Sequence, residues 1–122
     1  MLPLWCVLYT MCTTLERNAM ASRPSSAAFP IVAALIVPGS DIVVHKRRYS
    51  GFFQSDLDLT LRELGVESLI IIGWSTSLAV MMTALDGWQH GYSTTVLSDL
   101  TIAPAWGGHT VEENQQWTLG LI

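Results

Sequence analysis

The sequence predicts an α/β domain built on a largely parallel sheet. Residues 68–72, SLIII, form a short continuous apolar run without the polar alternation of a strand that has one wet face. Segments of helical length with apolar residues on one face lie on either side of it, and glycines close them. Strands separated by helix-length segments need crossover connections, which make neighbouring strands parallel and the crossovers right-handed.

Each element follows from local signals. Residues 5–10, WCVLYT, read as a strand, and 13–30 as a loop centred on Arg23-Pro24-Ser25-Ser26. The apolar stretch 31–37 fits either type of element, and Pro38-Gly39-Ser40 breaks it. Residues 41–46, DIVVHK, read as a second strand. SGFFQS then leads to a helix opening at Ser55, where Ser55 with Asp58 matches a capping box and Leu57, Leu61 and Leu64 share a face. Gly65 ends that helix, and 68–72 forms the buried strand. A helix is expected from Ser77 to His90, stopped by Gly91, and another strand from Ser93 to Ser98. Thr110 with Glu113 repeats the capping pattern and opens a last helix that runs to the end of the chain.

Composition bounds the function. A chain of 122 residues has room for one domain and one core. Only 13% of residues are charged, and none between Ser68 and Leu85, a run at the lower edge of bilayer-spanning length. Gly73, Ser75, Thr76 and Ser77 sit inside that run, so the reading is a buried strand and helix rather than a membrane span. The opening MLPLWCVLYTMCTTL lacks the basic start and the small-residue cleavage site of a secretory leader, and cytoplasmic residence is expected. A net charge of −4 opposes a nucleic-acid surface. The one basic cluster, HKRR at 45–48, reads as a solvated strand end. Cys6 and Cys12 match neither a disulfide framework nor a zinc spacing.

In an open parallel sheet, ligands bind outside the carboxyl ends of the strands. Two candidates fall there: Lys46, ending DIVVHK, and the polar corner GWSTSLA at 73–79, which follows the buried strand. The segments PGSDIVVHKRRYSGFFQSDLDLTLRELGV and LIIIGWSTSLAVMMTALDGWQHGY, in that order within 31–92, resemble the isochorismatase-like cysteine hydrolases. That family includes nicotinamidases, N-carbamoylsarcosine amidases, ureidoacrylate and biuret amidohydrolases, and isochorismatases. The Ser-Thr-Ser corner is most similar to the carbamoylsarcosine branch, and RYSGFF to the ureidoacrylate amidohydrolases.

The resemblance implies a three-layer αβα, Rossmann-like sheet and hydrolysis of C–N amide or vinyl-ether bonds in small molecules by an Asp-Lys-Cys triad. The lysine falls on Lys46. The cysteine falls on position 79, which is alanine, and no stretch of the family's aspartate type occurs among these residues. Ser75, Thr76, Trp74, Tyr49 and Phe52 then line the oxyanion corner and pocket, although Thr76 and Ser77 also suit helix caps and the aromatics suit a core. The resemblance further implies a cis Trp74–Ser75 bond, no cofactor and, without the upstream Asp-x-His of the nicotinamidases, no metal. His109 sits where many relatives have a downstream histidine; His45 and His90 read as surface residues.

A thiolate at position 79 draws its acidity from the helix start, where the dipole and free N–H groups favour negative charge. Alanine keeps the N–H and loses the nucleophile. The expected function is therefore that of an impaired hydrolase. The alternative is a small-molecule binding or regulatory partner of an intact paralogue.

WCVLYT resembles the family's second strand, so the family's first and last strands are expected to be missing. Because the first is central in the usual order, WCVLYT moves inward to fill its place, a partner chain fills it, or the sheet is unstable. The helix after the corner carries Leu78, Val80, Met81, Met82, Leu85 and Trp88, more apolar side chains than one buried stripe requires, and a homo-oligomer is expected.

Overall fold

The computed structural model describes residues 4–11, as backbone, and residues 41–122. Readings that fall on 12–40, including the loop at 13–30, the apolar stretch 31–37 and Cys12, lie outside the described residues. The chain divides into two compact units, Met1–Thr13 with His45–Ile122, and Thr14–Val44. Of the second, only residues 41–44 are described, and they have no regular secondary structure.

The first unit holds strand β1 (Leu4–Met11), helix α1 (Leu57–Glu63), strand β2 (Val66–Trp74), a π-helical turn (Thr76–Val80), helix α2 (Met81–Gln89), strand β3 (Ser93–Ile102) and helix α3 (Val111–Leu119). The strands form one sheet in the order β1-β2-β3, parallel throughout, as the alternation of strands and helices predicts. β2 is central, and its uninterrupted apolar run suits a strand covered on both faces. Leu69 and Ile71 are fully buried on one face, and Ile70 and Ile72 are partly covered on the other.

β1 pairs with β2 along its whole length, from Leu4 opposite Val66 to Met11 opposite Trp74. Of the three arrangements open to the sequence, the structure thus has the inward one, with both flanks of β2 hydrogen-bonded. β3 keeps register with β2 from Ser93 to Val96 and then slips: its next partnered residue is Thr101, opposite Gly73. The strand expected to end at Ser98 therefore continues to Ile102 through an irregularity that lifts residues 97–100 off the ladder.

Two expectations are corrected. DIVVHK is not a strand; Asp41–Lys46 is irregular, with Ile42 and Val43 exposed. Its alternation satisfies strand propensity, but no sheet edge pairs with it, and β-propensity without a partner strand carries no stability. The Ser55–Asp58 capping box also does not form. Asp56 occupies the N-cap without a side-chain bond, and Ser55 Oγ instead donates to Gly51 O and accepts from Leu57 N–H. Asp58 turns away to Arg62 and Tyr92. Leu57 and Leu61 enter the core as expected, whereas Leu64, after the last turn, is exposed. Gly65 and Gly91 stop α1 and α2 in the left-handed conformation that glycine accepts without a Cβ penalty. The second capping pattern forms in full: Thr110 Oγ1 accepts from Glu113 N–H, and the Glu113 carboxylate accepts from Thr110 N–H.

Candidate functional site

β2 runs through Gly73 and Trp74 into the corner, and the Trp74–Ser75 peptide bond is cis, as the resemblance implies. Ser75 is extended, and its carbonyl accepts from both Leu78 N–H and Val80 N–H, which draws the next residues into a single wide π turn before the regular helix begins at Met81. The helix therefore starts at the carboxyl end of the central strand. Its first N–H groups have no acceptor within the helix itself.

The corner is closed. Ser75, Thr76 and Ala79 are fully buried, and Ser77 nearly so. The alanine methyl thus lies inside the turn, where the family's thiolate is expected. Neither Thr76 nor Ser77 caps the helix, which corrects that reading. The Thr76 hydroxyl donates to Gln115 Oε1 at 2.7 Å, and Ser77 Oγ has no hydrogen-bond partner among the described residues. Trp74, at the strand end, is 42% exposed and suits a rim rather than a core position.

Lys46 is held within its own loop, donating to Tyr49 O at 2.9 Å and Arg48 O at 3.3 Å. The loop is fastened to the helix after the corner: Gly51 N–H donates to Thr83 Oγ1 at 2.9 Å, and both residues are buried. Thr83 lies about one turn beyond Ala79 on that helix, so the segment following Lys46 packs beside the helix that the corner begins. The aromatic residues separate into different roles. Phe52 is buried and stacks on His90, ring centroids 4.9 Å apart, and also meets Tyr92; it belongs to the core near the far end of α2. Tyr49 is half-buried, and Phe53 is exposed.

His90 is exposed, as expected, but it joins a cluster that sequence reasoning missed. The Asp58 carboxylate accepts from Tyr92 OH at 2.8 Å and Arg62 Nε at 3.0 Å, and lies 3.6 Å from His90 Nδ1. Arg62 also sits over the Tyr92 ring. Burial opposes ionisation of Asp58, but the bonds from Arg62 and Tyr92 and the charges of Arg62 and His90 outweigh it and hold the carboxyl below its usual range. Burial, with the bond to Asp58 and its charge, pushes the Tyr92 hydroxyl up to about 12. This cluster borders a cavity of about 490 Å³ lined by Ser68, Ser93 and Tyr92 among others, at the amino ends of β2 and β3. A second cavity, of about 280 Å³, lies between α2 and β3 beside Leu85, Trp88 and Val96. Neither is lined by Lys46 or by the corner.

His109 is exposed and 3.6 Å from Glu113 Oε2, in the turn before α3. Among the described residues, no group of three or more His, Cys, Asp or Glu side chains is placed to hold a metal ion. No described helix is long and apolar enough to cross a membrane.

The isochorismatase domain family matches residues 7–116. The chain is 39% identical over 94 residues to the ureidoacrylate amidohydrolase RutB of Methylobacterium radiotolerans, covering 77% of this chain and 36% of that protein. It is 48% identical over 64 residues to the RutB of Caulobacter segnis, covering 52% of this chain and 26% of that protein. Its fold is similar to that of a cysteine hydrolase from Pseudomonas syringae pv. phaseolicola, with a TM-score of 0.66 at 32% identity over 73% of this chain and 44% of the other. The chain thus spans about a third of the length of the first of these curated relatives.

Proposed function

The chain belongs to the isochorismatase domain family, and we propose that it is a catalytically impaired member whose corner is formed but lacks its nucleophile. The observation that carries this reading is Ala79, fully buried in the first turn of the helix that leaves the central strand. A methyl group there cannot attack a carbonyl. Removing the nucleophile from a hydrolase triad commonly costs on the order of 10³–10⁶ in rate. The similarity to ureidoacrylate amidohydrolases favours small amides as the ligand class. Lys46 is the cation that faces the ligand, Ser75 and Thr76 with the helix N–H groups form the oxyanion side, and Trp74 with Tyr49 forms the rim. A lysine replaces a thiolate as nucleophile only where its surroundings strongly depress its pKa.

A second reading rests on the same closed corner. The chain binds a small amide without turnover, or regulates an intact paralogue in the cytoplasm. Ligand protection of Lys46 from amine modification favours this reading.

The test is Ala79→Cys, followed by ultraviolet absorbance of the thiolate against pH, with peptide mapping to separate the new thiol from Cys6 and Cys12. The thiol at position 79 is expected to titrate below the ordinary value of about 8.5. The unaltered chain is expected to hydrolyse amides no faster than its Lys46→Ala variant. Robust turnover by the unaltered chain overturns the impaired reading, and an ordinary thiol at position 79 overturns the assignment of the corner.

A further inference from the structure

A single side chain outside the corner holds three parts of the fold together. Gln115, on α3, accepts through Oε1 from the Thr76 hydroxyl at 2.7 Å and from Ala103 N–H at 2.9 Å. Through Nε2 it donates to Thr101 O at 3.1 Å, Thr101 Oγ1 at 3.2 Å and Ser98 O at 3.2 Å. The partners fix the orientation of the amide, since a hydroxyl and an N–H face its oxygen and two carbonyls face its nitrogen.

Ser98 O is open to water, whereas the Thr76 hydroxyl is not. Ser98 lies in the segment where β3 leaves register with β2, and Thr101 is where pairing resumes. Backbone groups set free by such an irregularity need a substitute for the ladder. Thr76 is fully buried at the first position of the π turn, so its hydroxyl has a strong requirement for a protein acceptor. Gln115 meets both needs at once and couples the shape of the corner to the bulged end of β3.

We infer that Gln115 is a positioning residue for the corner: by holding Thr76 it fixes the first turn of the helix and thereby the place and N–H environment of position 79. The inference rests on the corner being the site, but its test reads the corner directly. Hydrogen exchange over residues 74–80 is compared among the unaltered chain, Gln115→Met and Thr76→Val. Met keeps the length of the side chain without its amide, and Val keeps the shape of Thr without its hydroxyl. Both variants are expected to exchange on the order of tenfold faster at the corner, with α1 amides unchanged. Gln115→Met alone is expected to loosen 98–101 as well. In the Ala79→Cys background, adding either change is expected to raise the thiol pKa by about one unit, a tenfold loss of thiolate.

Unchanged exchange at 74–80 in both variants overturns the inference, as does a uniform rise across the whole chain, which marks general destabilisation. Should Gln115→Met fail to fold, Thr76→Val decides. An ordinary thiol in Ala79→Cys with local loosening in the two variants refutes the corner as the site and supports the positioning role. An acidic thiol indifferent to both changes does the reverse.

Discussion

Tyr92 and Asp58 show how a residue's charge state follows from its neighbours. Tyr92 is buried with its hydroxyl on the Asp58 carboxylate, so its pKa in the fold is about 12, against about 10 for an ordinary tyrosine. A raised pKa means that the stabilisation is complete below the unfolded value and is lost as pH rises from about 10 towards 12. Asp58 has the opposite sign: its lowered pKa contributes above the ordinary carboxylate value near 4, and that contribution fades as pH falls through the lower folded value. Tyr92→Phe is therefore expected to cost about 1 kcal/mol at neutral pH and to flatten the alkaline loss while leaving part of the acid loss, which Arg62 also supports. Urea melts across pH measure both effects. An unchanged alkaline limb in the variant would place the titrating group elsewhere. None of this was legible in the sequence, because Asp58 and Tyr92 lie 34 residues apart and meet only once the chain has folded.

At the scale of elements, two identical-looking caps behaved differently. Thr110 and Glu113 close a full box, and the backbone N–H of Thr110 is the main cause holding the Glu113 carboxyl below its usual range. Thr110→Ala is expected to lower stability by about 1 kcal/mol in denaturant melts. Ser55 and Asp58 present the same spacing, yet the local backbone of Gly51 and Leu57 claimed the serine and the distant Tyr92, with Arg62, claimed the aspartate. α2 carries a glycine where helix propensity favours alanine by about 1 kcal/mol. The packing explains it: a Cβ on Gly87 would lie 3.0 Å from Thr94 Cγ2, 3.1 Å from Leu69 Cδ1 and 3.3 Å from Phe52 Cε2. A methyl group there is tighter than ordinary packing, and these side chains must give by a few tenths of an ångström to admit it. Gly87→Ala is expected to destabilise by about 1–3 kcal/mol despite its better propensity, read as a lower denaturant midpoint. A gain in stability would mean that α2 can move away from β2 without loss.

For the molecule as a whole, the inward position of β1 removes the unpaired edge of β2 as a reason for association. Exposed apolar side chains remain as the reason. Met82, Leu85 and Trp88 line the outer side of α2, with Trp88 70% exposed, while Leu100 and Ile102 on β3 and Trp117 on α3 are also open. Of Leu78, Val80, Met81, Met82, Leu85 and Trp88, Val80 alone is fully buried. Apolar side chains exposed together along one helix favour a covering partner. An assembly larger than the 13.4 kDa monomer is expected in size-exclusion with light scattering at micromolar concentration. A monodisperse monomer that unfolds cooperatively would refute this.

The sequence alone determined the class of fold, the buried strand at 68–72, the helix stops at Gly65 and Gly91, the capping box at Thr110 and the turn after the strand at 73–79. These are local: each depends on periodicity, a φ preference or a motif contained within a few neighbouring residues. Tertiary structure decided the rest. It left DIVVHK outside the sheet, set β1 directly against β2, broke the register of β3 and gave the Thr76 hydroxyl to Gln115 instead of to the helix start. The physical reason is common to all four. A strand needs a neighbour, and a buried donor needs an acceptor. For β1, β3 and Thr76 the partner lies tens of residues away along the chain, and for DIVVHK no described strand supplies one, so only the folded arrangement decides the outcome.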